Sequence, residues 1–269
     1  MRRRCYPSDM SNKEWRLIEP VLPAPACETP KGGRPEKWPR RHVVDAIRYL
    51  VDSGCKWRSL PADFPPWRTV YGFFVKWTAA GTVAHLREDL RRKVRLASGT
   101  APNAVALVID SQSVKAASTV TSTSRGYDGA KKINGRKRHI VVDTRGLPLM
   151  VMVTKADVND REIALELLFR LRIMHPEITI VWADSGYAGK DFTAFVKSLL
   201  GITIKTVKRP KDSSGFVILP RRWVVERTFA WIMHARRHVR DYERLPQHSE
   251  ALITWAAITV MTRRLARIG

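Results

Sequence analysis

From residue 104 onward, short apolar runs and amphipathic stretches alternate in an order that suits a sheet covered by helices. Residues 104–109, 137–143 and 148–154 are apolar and rich in β-branched side chains, and each is closed by turn residues. Such runs are too short for buried helices and read as strands. A helical pattern follows at 161–174, with Ile163, Leu167, Leu168 and Leu171 on one face. Then come a strand (178–183), a helix (190–200), a fifth strand (202–207) and late helices over 220–240 and 249–266. A strand meander followed by alternating helix and strand predicts a mixed α/β (α+β) fold, a five-stranded mixed sheet flanked by helices. In that layout the fourth strand lies parallel beside the first.

Two of these runs are followed directly by aspartate, Asp110 after 104–109 and Asp184 after 178–183. Neighbouring strands lie ~4.8 Å apart, so both carboxylates fall at one sheet edge if the two strands pair. Glu226 lies in the helical stretch 222–232, and a helix laid across that edge brings it to the pair. Clustered carboxylates suit Mg²⁺ (or Mn²⁺), and two such ions can clamp the attacking and leaving oxygens of a phosphodiester. Taken singly, each acid also reads as a turn or surface residue. Asp143 illustrates this: it too closes an apolar run, but Thr-Arg-Gly-Leu-Pro follows, and a hairpin turn accounts for it.

The formal net charge is +23, and the excess is spread along the chain. Residues 1–100 carry 20 basic and 10 acidic side chains, which excludes a basic tail on a neutral body. Such a field favours polyanions, nucleic acid foremost. No run approaches the ~18 apolar residues of a membrane span, and the N-terminus lacks a signal-peptide pattern. Cys5, Cys27 and Cys55 are odd in number and contain no Cys-x-x-Cys pair, so a reducing cytoplasm fits better than a disulfide framework or zinc finger.

The first hundred residues read as helical. Ser11-Asn-Lys-Glu14 is a capping box, with Trp15 and Ile18 on one face. A Pro-rich basic loop spans 23–39. Val43, Val44, Ile47, Leu50 and Val51 mark an amphipathic helix closed by Gly54. Val70, Tyr71, Phe74 and Trp77 mark a second helix. Val83, Leu86, Leu90 and Val94 mark a third, with Arg87, Arg91, Arg92 and Arg95 on its other face. Short helices with exposed basic residues predict a small helix-turn-helix-like DNA-binding domain over 1–97, in which Arg68 or Lys76 of the 67–78 helix reaches base edges. Its alternative is a plain helical cap. The stretch 97–103 is the expected boundary, and 101–269 the expected catalytic domain.

Several stretches resemble a known family. They are Gly54-Cys-Lys-Trp-Arg-Ser-Leu-Pro61, Trp67-Arg-Thr-Val-Tyr71, Val108-Ile-Asp-Ser-Gln-Ser-Val-Lys115, Gly135-Arg-Lys-Arg-His-Ile-Val-Val-Asp143, Ala183-Asp-Ser-Gly-Tyr-Ala-Gly189, Leu219-Pro-Arg-Arg-Trp-Val-Val-Glu-Arg-Thr-Phe-Ala-Trp231 and Arg240-Asp-Tyr-Glu-Arg244. In this order they resemble the bacterial insertion-sequence transposases of the DDE type, specifically the insertion-sequence-five family. The resemblance implies a ribonuclease H-like catalytic domain, a DNA-binding N-terminal region, and metal-dependent cutting and joining of transposon DNA. It carries the three catalytic, metal-holding carboxylates onto Asp110, Asp184 and Glu226. It also implies terminal repeats and target DNA as partners, a homodimer or larger assembly on DNA, and a nucleoid-associated place in the cytoplasm. The chain departs from its relatives where they carry a basic residue about two turns after the glutamate. Here Met233 and His234 stand, with Arg236 and Arg237 further on, while Arg222 lies one turn before Glu226. Ser185 stands where glycine is usual.

Lys131, Lys132, Arg136, Lys137 and Arg138 crowd five positive charges into eight residues directly before a strand. The expectation is that they neutralise DNA phosphates near the active site, with a solvated loop as the ordinary alternative. Two other functional readings stand beside transposition: a non-catalytic DNA-binding relative, whose mark would be a lost carboxylate, and a ribonuclease H-like nuclease that cuts without joining.

Overall fold

The computed structural model describes residues 3–30, 32–207 and 221–268. Leu219 and Pro220, which open the sixth motif above, and the first residue of the expected 220–240 helix therefore lie outside the described residues.

Four helices come first: α1 (Asn12–Ile18), α2 (Arg40–Ser53), α3 (Trp67–Ala79) and α4 (Thr82–Ala97). The capping box forms as expected, with the Ser11 hydroxyl accepting from the Glu14 amide and the Glu14 carboxylate accepting from the Ser11 amide. Gly54 ends α2 in the left-handed region at φ 72°. A Cβ there would meet the Arg236 backbone at 3.1 Å, so this glycine serves both the cap and a close approach.

The sheet contains β1 (Ala106–Lys115), β2 (Gly126–Asp128), β3 (Ile133–Asp143), β4 (Pro148–Lys155), β5 (Ile180–Ala183) and β6 (Thr203–Thr206). Its order is β2-β3-β1-β5-β6, with β4 also on β3. Pairings among β1 to β4 are antiparallel, and β5 runs parallel to both β1 and β6. The expected parallel placement of the fourth strand beside the first is therefore found, and among the described residues the five expected strands are joined by the short β2. The short β2 carries only Gly-Tyr-Asp, too little apolar pattern to read as a strand. β1 also runs further than expected. It continues through Asp110 to Lys115 because the polar stretch Ser111-Gln-Ser is held by the ladder to His139, Arg138 and Lys137.

Helices α5 (Asp160–Met174) and α6 (Lys190–Leu200) cover one face of the sheet, burying Leu167, Leu168, Leu171 and Val196 against Leu107, Ile109 and Val181. The other face packs against α7 (Trp223–Met233) and part of α8 (Pro246–Ile268), through Val224, Val225, Phe229, Ile232 and Ile253. Among the described residues, no helix is long and apolar enough to cross a membrane.

The apolar cluster of the first four helices also takes in the last helix. Val43, Ile47, Leu50, Phe74, Trp77, Leu86 and Leu90 share one apolar cluster with Leu252, Trp255, Ile258 and Met261 of α8. Nor is the second face of α4 a solvated arginine face. Arg87, Arg91 and Arg95 are buried, and Arg95 and Arg91 reach Asp143 at the β3–β4 turn, at 2.8 and 3.9 Å. Asp143 also accepts the Arg145 and Leu147 amides. It is a hairpin residue that doubles as an anchor for the helical layer.

Candidate active site

Each strand register is fixed by its apolar face, and the registers bring the acids together. Ala106, Leu107 and Val108 pair with Ile180, Val181 and Trp182, so Asp110 and Asp184 stand two residues beyond the last pair on adjacent parallel strands. Asp110 is 9% exposed, with one carboxylate oxygen accepting the Ser111 amide at 2.8 Å. Burial raises its pKa to about 6; the Ser111 amide, Arg222 and Lys131 oppose the shift, while Asp184 adds to it. Asp184 is half-buried and caps the turn at Ser185–Tyr187, accepting the Gly186 amide at 2.8 Å.

Glu226 lies in the first turn of α7, whose buried side packs on β1 and β3. Its carboxylate is exposed. Arg222 lies between Asp184 and Glu226, with Nη2 3.8 Å from Asp184 and Nε 3.5 Å from Glu226. Among the described residues, no three His, Cys, Asp or Glu side chains already converge in metal-binding geometry. The guanidinium supplies the positive charge between Asp184 and Glu226 that a cation would supply. Three oxygen-only donors of this kind fit a hard divalent ion, Mg²⁺ or Mn²⁺, and not a soft metal.

A polar cluster on the α5–α6 face of the sheet, opposite to the face that Asp110 shares with α7, was not legible in the sequence. Tyr187 is buried, and burial, then Asp160, Asp110 and Asp184, push its phenol well above the ordinary range. His139, paired with Ser111 across the ladder, is buried 3.7 Å from Asp160 and 2.9 Å from the Thr154 hydroxyl. Burial lowers its pKa to about 4, so the ring is neutral at pH 7. Lys137 reaches Asp160 at 3.2 Å. Tyr187 lay inside a quoted motif without a role. Asp160 and His139 meet only through the tertiary fold, and no local signal marks them.

The expected phosphate-binding residues separate into two groups. Lys131 and Lys132 are exposed before β3, with Lys132 in the left-handed region at φ 52°. Arg68 and Lys76 are exposed on α3, and Arg236 is exposed beyond α7. Arg136 and Arg138 are in the interior, which corrects their reading as phosphate ligands. Arg136 binds Asp241 at 3.2 Å and donates to the Ser124, Glu243 and Arg244 carbonyls, while Arg138 donates to the His238 and Arg240 carbonyls. Lys137 is buried on Asp160 and the Val158 carbonyl. Arg237 is buried against Glu243 at 2.5 Å and donates to the Cys55 carbonyl. A guanidinium held by several acceptors in a dry environment is not free to meet a phosphate.

A mixed sheet of this order, with helices on both faces and aspartates on two adjacent central strands, defines a ribonuclease H-like protein. The chain belongs to the Transposase DDE domain family, whose profile matches residues 102–261. A second profile, described as a putative transposase of the IS4/5 family, matches residues 10–87. The chain is 36% identical over 117 residues to a putative transposase for insertion sequence element IS402 of Burkholderia cepacia, covering 41% of this chain and 54% of that protein. It is 33% identical over 110 residues to an uncharacterized 16.2 kDa protein of insertion element IS402 from the same organism, covering 38% of this chain and 69% of that one. The chain thus spans about half the length of the first relative. No solved structure matches it.

Proposed function

We propose that the chain is a DNA transposase that cuts transposon ends and joins the freed 3′-hydroxyl to target DNA. The reading is supported by Asp110 and Asp184 on adjacent central strands, with Arg222 between Asp184 and Glu226, in a member of the DDE family. Two divalent ions held by these three carboxylates would activate the attacking oxygen and stabilise the leaving one. Asp110, on a rigid strand and fixed by the Ser111 amide, holds its carboxylate in place. Asp184 is held by its own turn. Glu226 is the adjustable member, exposed on a helix and linked to Asp184 through Arg222. Lys131, Lys132, Arg68, Lys76 and Arg236 supply exposed charge for phosphates of end and target DNA. The assembly on DNA is a homodimer or larger, working in the cytoplasm at the nucleoid.

The test uses the full chain with end-bearing DNA and Mg²⁺. Asp110→Asn, Asp184→Asn and Glu226→Gln should each reduce cleavage and strand transfer by at least about a thousandfold, with duplex binding retained. Near-normal cleavage by any of the three removes that residue from the site. Cleavage without joining in the unaltered protein would make it a nuclease.

A further inference from the structure

Beside Glu226, helix α7 carries a second array of side chains. Trp223, Arg227 and Trp231 follow one another at four-residue spacing, along about 12 Å of helix. Arg227 lies 4.4 Å from the Trp223 ring centre and 4.7 Å from that of Trp231, and Arg264 of α8 lies 5.4 Å from Trp231. The opposite face of α7 holds Val224, Val225, Thr228, Phe229 and Ile232, which are buried, so the array is not needed to seat the helix on the sheet. Trp223 is 40% exposed, unusual for so large an apolar side chain, and Arg227 and Trp231 are half-buried.

The charge of this array is as informative as its aromatic content. Burial, then the nearby Arg264, disfavours the charge of Arg227, and among the described residues neither arginine forms an ion pair with a carboxylate. Two guanidinium groups stacked on indoles and left without an acid partner make an anion-seeking surface. An exposed indole face offers stacking, which a base can use only when it is out of a duplex. A paired base presents its edges in the grooves and keeps its faces covered by its neighbours.

We propose that Trp223, Arg227, Trp231 and Arg264 form a binding surface for an unpaired DNA strand, with a base stacked on Trp223 and phosphates drawn to the two arginines. The inference rests on the transposase reading and deepens it, since this surface shares a helix with Glu226 and would hold single-stranded DNA next to the carboxylates. Duplex DNA is held elsewhere, by the exposed charges of α3 and the β2–β3 turn.

The experiment measures binding of the full-length protein, in EDTA, to a labelled oligothymidylate and to a labelled duplex of arbitrary sequence. Trp223→Ala, the exposed position, should weaken oligothymidylate binding roughly tenfold or more and leave duplex binding unchanged. Trp231→Phe, which keeps an aromatic face, should retain most of the affinity, while Trp231→Ala should lose it. Circular dichroism matching the unaltered protein checks that Trp231→Ala is folded. Unchanged oligothymidylate affinity in Trp223→Ala, or equal loss for both probes, overturns the proposal. A chain that binds the oligothymidylate through these tryptophans but cuts no end-bearing DNA would keep the surface and lose the transposase reading. One that cuts normally, with single-strand affinity insensitive to both substitutions, would lose the surface alone.

Discussion

Asp110 concentrates the conflict between folding and chemistry in one residue. It sits in the middle of a strand with 9% of its surface exposed, and burial lifts its pKa from about 4 to about 6. For an acid with a raised folded pKa, the charged form is the disfavoured one. The destabilisation is fully developed above about pH 6 and disappears below the ordinary carboxylate value near 4. A shift of about two units corresponds to about 3 kcal/mol at most. In metal-free protein at pH 8, Asp110→Asn should therefore raise stability by about 1–3 kcal/mol, and the gain should shrink toward zero by pH 4. Urea unfolding in EDTA at the two pH values measures it; a gain at pH 4 equal to that at pH 8 would remove burial as the cause. Asp143 shows how far sequence could discriminate here. Both aspartates follow apolar runs, and what separated them was the Gly-Leu-Pro turn after Asp143, a local cue. The buried arginines that also hold Asp143 left no cue, because Arg91 and Arg95 lie 52 and 48 residues away in the chain.

At the scale of elements, β3 gives the clearest case of a pattern that misleads. Five charges in eight residues read as a phosphate-neutralising run, yet Gly135 onward is buried strand, and its arginines satisfy backbone carbonyls of the segment from His238 to Arg244. A guanidinium with several donors can serve as the hydrogen-bonding core of a chain crossing, which local periodicity does not report. The helices were legible because each pairs a 3.6-residue apolar stripe with a local stop, as α2 does with Gly54. The same distinction predicts opposite phenotypes within one run. Lys131→Ala with Lys132→Ala should leave stability unchanged and flatten the log–log salt dependence of duplex binding by up to about two. Arg136→Ala should instead destabilise the fold by about 3–5 kcal/mol, since it leaves Asp241 buried without its partner. Filter binding across a salt series and denaturant unfolding read the two effects separately. A stable Arg136→Ala protein with a flattened salt slope would return Arg136 to the phosphate-binding group.

For the whole molecule, the first four helices and α8 are folded together. α8 lies against α1, α2, α3 and α4, and Trp255 packs near Trp77 with ring centres 6.5 Å apart in the core of the helical layer. Glu14 of α1 pairs with the buried Arg48 of α2 at 2.8 Å, and the Thr262 hydroxyl of α8 donates to the same carboxylate at 3.3 Å. Composition marks a change near residue 100, from helical to sheet-forming sequence, but not which core the last helix completes. A helical layer that depends on α8 cannot keep its apolar faces dry without it. Residues 1–97 alone should therefore show weak, non-cooperative thermal unfolding by circular dichroism, in contrast to the sharp transition of the full chain. In the full chain, Trp255→Ala should cost about 3–5 kcal/mol, a large share of the 5–15 kcal/mol typical of a whole domain. Hydrogen exchange would locate the damage: amides of α2, α3 and α4 should lose protection together with α8, while β1 and β3 lose less. A cooperatively folded 1–97 fragment, or protection lost only around α8 in the Trp255→Ala protein, would show that the helical layer stands without α8.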